Sequence, residues 1–251
     1  MPVDKSFVVK NLKKLKRDKA CGHDKFPPGM LKDSASVIAA PLTQIINLSL
    51  ESGTVPKDWK LAKVTPLFKS GSLIDMQNYR PISVLPTLSK ILEKAVHSQL
   101  ITYLEENHLL NRSQFGFRSK RSTDLAVAYL VDSIRKEVDC GKLTGAVYVD
   151  LSKAFDTVSH AVILERLPSY GIISNELQWF TDYLFERRQY VIFNGTQSDT
   201  EYVTCGVPQG STLGPLLFLI HFNDVDKCLQ HSKIIIYADD TVLFTSANDS
   251  L

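Results

Sequence analysis

The chain has 251 residues, enough for one large domain or two small ones around a real core, and its 44% hydrophobic and 22% charged residues are those of a globular protein, which excludes a disordered one. The net charge of +2 hides a division: residues 1–122 carry 20 Lys and Arg against 10 Asp and Glu, a balance of +10, whereas residues 123–251 carry 9 against 17, a balance of −8. The longest apolar run, 216–220, is too short to cross a bilayer, the polar, lysine-rich N-terminus does not read as a signal peptide, and no two of the four cysteines lie within five residues, which excludes CxxC and zinc-knuckle spacings and points to free thiols inside the cell.

A first helix is predicted from a cap at Ser6, with Val8, Leu12 and Leu15 on one face and Lys10, Lys13, Lys14 and Arg17 on the other. Cys21-Gly22-His23 and Pro27-Pro28-Gly29 read as loop. Residues 30–52 read as one helix or two interrupted at Pro41, with Gly53 placed to terminate the second. Strand-like segments at 64–68 and 79–84 flank the polar stretch 69–78, which predicts a hairpin with a long mobile tip. Helical spacing returns over 87–107 and over 123–138, where Leu125, Ala128, Ile134 and Val138 are predicted to turn inward.

From Gly145 the pattern changes. Residues 146–149 are β-formers, expected as a buried strand that ends on Asp150. Helices are expected at about 161–169, stopped by Gly171, and at 176–186. Residues 190–193 and 202–205 read as a hairpin around Asn194-Gly195, and Pro215 sits early in a short apolar helix. Residues 234–237 and 241–245 are strands separated by Ala238-Asp239-Asp240, a tight hairpin. Helices dominate the first half, and strands with packed helices the second, which is an α+β plan.

Asp150, Asp239 and Asp240 therefore fall at strand ends beside apolar segments, where an unpaired carboxylate is costly. A divalent cation between them makes the pattern sensible, because Mg²⁺ takes hard oxygen ligands and is usually held by one or two carboxylates plus substrate phosphates. Two such ions roughly 3.5–4 Å apart serve in-line phosphoryl displacement. Each piece alone is ordinary: an Asp at a strand end is most often a cap, and an Asp-Asp pair is commonly a solvated turn. The combination with a Gly206-Val207-Pro208-Gln209-Gly210 loop between them is specific.

Taken together, the motifs resemble those of reverse transcriptases, closest to jockey-like non-LTR retrotransposons. Tyr237-Ala238-Asp239-Asp240 is similar to the signature turn, Val149-Asp150-Leu151-Ser152-Lys153-Ala154-Phe155-Asp156 to the first palm motif, and Gly206-Val207-Pro208-Gln209-Gly210-Ser211 to the loop over the incoming nucleotide. Asn78-Tyr79-Arg80-Pro81-Ile82-Ser83 and Gln114-Phe115-Gly116-Phe117-Arg118 resemble the fingers motifs, and the resemblance runs from about Lys19 to Ser246.

The resemblance implies a right-hand polymerase with fingers over 1–142, including an N-terminal basic helical region, and a palm over 143–251 whose antiparallel sheet packs on helices; the thumb is expected to be absent. It implies Asp150 and Asp239 as main metal ligands, Asp240 as their assistant, and the Leu151 carbonyl as a further contact to one of two Mg²⁺ ions, with Mn²⁺ as a substitute. Phe155 matches the aromatic gate that excludes a ribose 2′-hydroxyl, Gln209 the glutamine on the nucleotide, and Gly210 the backbone that approaches it. Lys69 and Arg80 match the basic pair that clamps the triphosphate, although Lys69 alone reads equally well as a solvated loop lysine. Arg118, Arg121 and Phe117 are candidates for contact with a template strand, the rings reading evenly as stacking platforms or core. Asp156 and Asp224 are expected to make structural hydrogen bonds.

The implied activity is RNA-directed DNA synthesis, with an RNA template, a DNA primer and deoxynucleoside triphosphates as partners, no membrane, and a nuclear or cytoplasmic site. Two other readings compete: a catalytically incompetent truncated fragment that only binds nucleic acid, and a different two-metal phosphotransferase such as a nucleotide cyclase. Intact aspartates, Phe155 and Gln209 speak against the former. The motifs at Arg80 and Gln114–Arg118 speak against the latter, since a cyclase holds no template.

Overall fold

The computed structural model describes residues 1–248, so the last three residues of the expected palm lie outside the described residues. In chain order the elements are α1 (Lys5–Lys13), α2 (Pro28–Asp33), α3 (Ala35–Ser52), β1 (Leu61–Phe68), β2 (Tyr79–Val84), α4 (Thr87–Glu106), α5 (Thr123–Asp139), β3 (Leu143–Val149), α6 (His160–Arg166), α7 (Ser174–Leu184), β4 (Arg188–Phe193), β5 (Thr196–Gln197), β6 (Glu201–Tyr202), α8 (Gly214–Phe222), β7 (Lys233–Tyr237) and β8 (Asp240–Ala247). The α+β plan is as expected.

Two helix starts differ from expectation. Asp4 caps α1 by accepting the Phe7 N–H at 2.7 Å, and Ser6 instead donates to Asp4 from inside the first turn. Pro41 does not interrupt the second helical segment; α3 runs through it. The break falls at Ser34, whose N–H and hydroxyl both donate to the Met30 carbonyl and close α2. An internal proline costs about 3 kcal/mol. Burial of Ala35, Ala39, Leu42 and Ile46 on one face of α3 offsets it, at roughly 1.5–3 kcal/mol for each large side chain. Gly53 ends α3 at φ +65°, as expected of a left-handed cap.

Five strands form one sheet in the order β2-β1-β4-β5, with β6 also on β4. β1 and β2 are an antiparallel hairpin, and β4 joins β1 in parallel, so this sheet draws strands from both sides of residue 142. Asn194 and Gly195 carry positive φ, and they turn β4 back into the two-residue β5. The return strand is shorter than the sequence suggests, reaching only Glu201–Tyr202.

The second sheet is antiparallel, in the order β3-β8-β7. Here the expected buried strand is an edge strand: Leu143, Val147 and Tyr148 of β3 are exposed, whereas Ile234, Ile235 and Ile236 of β7 are buried. An apolar run reveals a strand but not which side of the sheet receives cover. On α5 the buried stripe is also shifted, to Ala126 with Leu130 and Ile134 against Phe115, Ile235 and Phe244, while Leu125, Ala128 and Val138 face outward. Both stripes satisfy helical spacing, and packing selects one.

A larger core joins α1–α4 to α6–α8. α8 is apolar all round, with Leu216, Leu217, Phe218, Leu219 and Ile220 buried, so it is the post around which the other helices pack. No helix among the described residues is long and apolar enough to cross a membrane.

Candidate active site

The register of the three-stranded sheet decides where the acidic residues meet. Val149 pairs with Thr241, so Asp150, the next residue, comes alongside Asp240. Tyr237 pairs with Asp240 and closes a turn at Ala238 and Asp239. All three aspartates therefore stand at one end of one sheet. Asp150 and Asp240 are exposed and Asp239 is half-buried, and among the described residues none of their carboxylates has a hydrogen-bond donor or ion-pair partner on the protein. No three acidic, imidazole or thiol side chains among the described residues form a ready-made metal cage.

The turn is under constraint. Ala238 sits at φ +59°, a region unfavourable for a residue with a Cβ. A buried side chain holds it there. Gln114 is 4% exposed; its Oε1 accepts from Ala238 N at 2.9 Å and Gly116 N at 2.7 Å, and its Nε2 donates to Ala238 O at 3.2 Å. Phe115 N donates to Ile236 O at 2.7 Å and Ile236 N to Ser113 O at 2.9 Å, so Gln114 makes an isolated parallel bridge to Ile236 of β7. A Cβ on Gly116 would lie 2.2 Å from Ala238 N, which leaves only glycine at this approach. Within its motif Gln114 carries no task legible in the sequence; the one signal is a polar residue set beside the aromatic residues Phe115 and Phe117.

The 206–210 loop lies against the segment that follows Asp150 in the chain, with Gly206 N donating to Val158 O at 2.8 Å and Val207 N to Phe155 O at 2.9 Å. Gly206 at φ +84° and Gly210 at φ +125° adopt backbone closed to other residues, and a Cβ at either would strike the Asp156 or Ser83 carbonyl. Gln209 Nε2 donates to Asp156 Oδ1 at 2.8 Å, and Ser83 N donates to Gln209 O at 2.8 Å, tying the loop to β2. Beneath it, buried Glu93 accepts from Thr212 N at 2.5 Å and from the Tyr183 hydroxyl at 2.8 Å. Burial pushes the Glu93 carboxyl up, partly countered by its hydrogen bond from Thr212 and the nearby Arg187 guanidinium. A cleft of about 290 Å³ opens beside this loop, lined by Ser83, Asp156, Arg188 and Gln209 among others.

Phe155 is half-buried, stacked on Phe218 with ring centroids 4.8 Å apart and braced at its edge by Phe117 at 5.8 Å. Leu151 packs on the larger core, leaving its backbone at the carboxylate end. Lys69 and Arg80 are exposed on the β1–β2 hairpin; Leu67 pairs with Arg80, so Leu67, Lys69 and Arg80 share a face.

Arg118 is placed differently from a template-facing side chain. Its side chain is 8% exposed and forks onto Glu105, Nε to Oε1 at 2.8 Å and Nη2 to Oε2 at 2.5 Å, while Nη1 donates to the Asn111 carbonyl at 2.6 Å. Arg121 lies over the Phe115 ring at 4.7 Å and donates to Arg112 O at 3.1 Å. Phe115 is core, and Phe117 is partly exposed at φ +57°. Asp156 is taken by Gln209, and Asp224 by Lys227 at 2.8 Å, the structural bonds expected of both.

Residues 67–251 match the family model described as reverse transcriptase (RNA-dependent DNA polymerase). The chain is 31% identical over 98% of its length to a probable RNA-directed DNA polymerase from transposon BS of Drosophila melanogaster. It is 30% identical, over 98% and 97% of its length, to the RNA-directed DNA polymerases from mobile element jockey of Drosophila funebris and Drosophila melanogaster. It spans 28%, 28% and 27% of these relatives' own lengths. On the match across residues 67–251 and the identity across nearly its whole length, the chain belongs to the reverse transcriptase (RNA-dependent DNA polymerase) family.

Proposed function

We propose that the chain is the nucleotide-adding core of an RNA-directed DNA polymerase of a jockey-like non-LTR element, extending a DNA primer on an RNA template. The observation that carries this reading is the register of β3 against β8, which sets Asp150 beside the Asp239-Asp240 turn. The β1–β2–β4 sheet with its helices corresponds in this reading to the fingers, the three-stranded sheet with α5 to the palm, and no thumb is assigned.

The donor set is hard oxygen throughout: three carboxylates without protein partners among the described residues, and the Leu151 carbonyl next to Asp150. That set fits Mg²⁺, or Mn²⁺ in its place, since Mg²⁺ takes few carboxylates and completes its shell with water and phosphate oxygens. Two ions so held would lower the pKa of the primer 3′-hydroxyl and offset charge on the reacting phosphate.

The remaining work falls to the chain's own residues. Lys69 and Arg80 reach toward the triphosphate, where the planar guanidinium can bond two phosphate oxygens. Gln209, held by Asp156, and the Gly210 backbone form the wall against the nucleotide. Phe155, fixed between Phe218 and Phe117, stands under the sugar and leaves no room for a 2′-hydroxyl. Phosphoryl transfer needs little covalent chemistry from protein, so positioning and charge carry the rate. Arg121 and Phe117 remain candidates for template contact, and Arg118 enters only by fixing the 111–118 segment.

Primer extension with deoxynucleotides on an RNA template, in Mg²⁺, tests the reading. Metal-dependent extension supports it. Salt-sensitive nucleic-acid binding by folded protein without extension would replace it with a binding module.

A further inference from the structure

A buried carboxylate is costly to keep, and Glu93 of α4 is 2% exposed. Its two oxygens have separate partners. Oε1 accepts the Tyr183 hydroxyl, and Oε2 accepts the backbone N–H of Thr212, 119 positions away in sequence. Arg187, also 2% exposed, lies over the Tyr183 ring at 4.7 Å and donates through Nη1 to the Tyr183 carbonyl at 3.1 Å. Its charge favours the Glu93 carboxylate from nearby, yet among the described residues the two make no ion pair. The direct contacts of the carboxylate are therefore one phenol and one loop amide, and the second is a charge-assisted bond.

That amide belongs to the chain that carries Gln209 and Gly210. A second bond holds the same stretch from the other side: Ser83 N donates to Gln209 O at 2.8 Å, and a Cβ on Gly210 would lie 2.5 Å from the Ser83 carbonyl oxygen. Ser83 is in β2 and Glu93 in α4, the next helix. The junction between them is packed, with Ser89 Oγ donating to Pro86 O at 2.8 Å and no room for a Cβ on Gly22 against Pro86 N. One continuous piece of chain, 79–106, thus bears Arg80 and grips residues 209–212 at both ends. The Ser83 bond is backbone to backbone. Glu93 is the side chain on which the other bond depends.

We propose that Glu93 is a positioning residue for the incoming deoxynucleotide: through Thr212 N it locks residues 209–212 onto the β2–α4 unit, so that the Gln209–Gly210 wall stands at a fixed spacing from Arg80 and both meet one nucleotide together. The proposal rests on the nucleotide-adding reading of the site. A loop released from Glu93 must be ordered again at each binding event, which weakens nucleotide affinity without touching the reacting atoms. The competing account is purely structural, a buried anion near the start of α8 that steadies the helix. That account moves Tm and leaves nucleotide affinity alone.

The test compares the protein with Glu93→Leu, which has no acceptor, and Glu93→Gln, which keeps one for Thr212 N. Two readouts are used: kcat and KM for deoxynucleotide in primer extension on an RNA template, and amide hydrogen exchange over residues 206–212, which needs no turnover. The expected result for Glu93→Leu is KM raised by about tenfold, kcat and primer–template affinity within about threefold, and exchange over 206–212 faster by about tenfold. Glu93→Gln should stay within about threefold of the parent in all of these. A lowered Tm in Glu93→Leu with KM and loop exchange unchanged overturns the proposal, as does a Glu93→Gln variant as impaired as Glu93→Leu. If the parent adds no nucleotide, the polymerase reading fails by itself, and the exchange of 206–212 still decides whether Glu93 positions the loop. Should Glu93→Leu not fold, Glu93→Leu/Tyr183→Phe, which also removes the stranded hydroxyl, is read in its place against Tyr183→Phe. Failure of both Leu variants to fold makes Glu93 a folding residue and overturns the proposal.

Discussion

Gln114 reads both backbone polar groups of Ala238: its Oε1 accepts the Ala238 N–H at 2.9 Å, and its Nε2 donates to the Ala238 carbonyl at 3.2 Å. One side chain from outside the sheet thereby fixes the residue that precedes the Asp239-Asp240 pair. Since Ala238 is held at φ +59°, the turn stores a conformation that the tripeptide alone would leave.

Gln114→Ala should therefore act on the turn rather than on substrate affinity. It leaves Ala238 N and Gly116 N without their acceptor, each worth about 1–3 kcal/mol when buried. The expected outcome is a lowered Tm with cooperative unfolding retained, kcat for extension down by about 100-fold, and KM for deoxynucleotide within about threefold. A rise in KM with kcat unchanged would show that Gln114 serves binding and not the turn.

The Arg118–Glu105 pair predicts a pH signature. The Arg118 hydrogen bonds hold the Glu105 carboxyl below its ordinary value of 4.5. A carboxyl with a depressed folded-state pKa contributes stability above its unfolded pKa and loses it as pH falls through the folded value. Arg118→Met should lower stability at neutral pH by about 1–3 kcal/mol, and the difference from the parent should shrink as pH falls below about 4.5. Melting curves across that range check it. A difference independent of pH would mean that the lost packing, and not the ion pair, carries the effect.

Phe155→Val removes the ring from between Phe218 and Phe117. The account predicts ribonucleotide incorporation rising relative to deoxynucleotide by at least about tenfold, with deoxynucleotide kcat/KM changed much less. The ratio of the two kcat/KM values is the readout. An unchanged ratio would return Phe155 to core packing.

How much of this was legible beforehand differs from element to element. The β7–β8 hairpin was readable because Ile234, Ile235 and Ile236 end on a turn and apolar residues resume at Val242, and the register that brings Asp150 to Asp240 then follows from two strand ends. Gly53, Gly171 and Asn194-Gly195 were readable because positive φ at helix ends and tight turns favours those residues. Pro41 misled because the local cost of a proline was outweighed by tertiary burial of the face it shares. α5 misled because two stripes satisfy the same period, and the exposure of β3 misled because strand order is a long-range property. Arg118 and Gln114 share one motif, in which only Arg118 carries an expected role. The charged residue is buried in an ion pair, and the neutral one holds the Ala238 turn. Local sequence carries residue type and spacing; partners such as Glu105 and Ala238 come from elsewhere in the chain.

The central claim is that Asp150 and the Asp239-Asp240 turn make one polymerising centre. Extension of a primer on an RNA template in Mg²⁺, comparing the protein with Asp239→Ala/Asp240→Ala, tests it most directly. The account predicts extension by the parent and a loss of at least about 1,000-fold in the double variant, with folding and nucleic-acid binding retained. Extension that survives the double substitution, or folded parent protein that binds primer–template and adds no nucleotide, would contradict it.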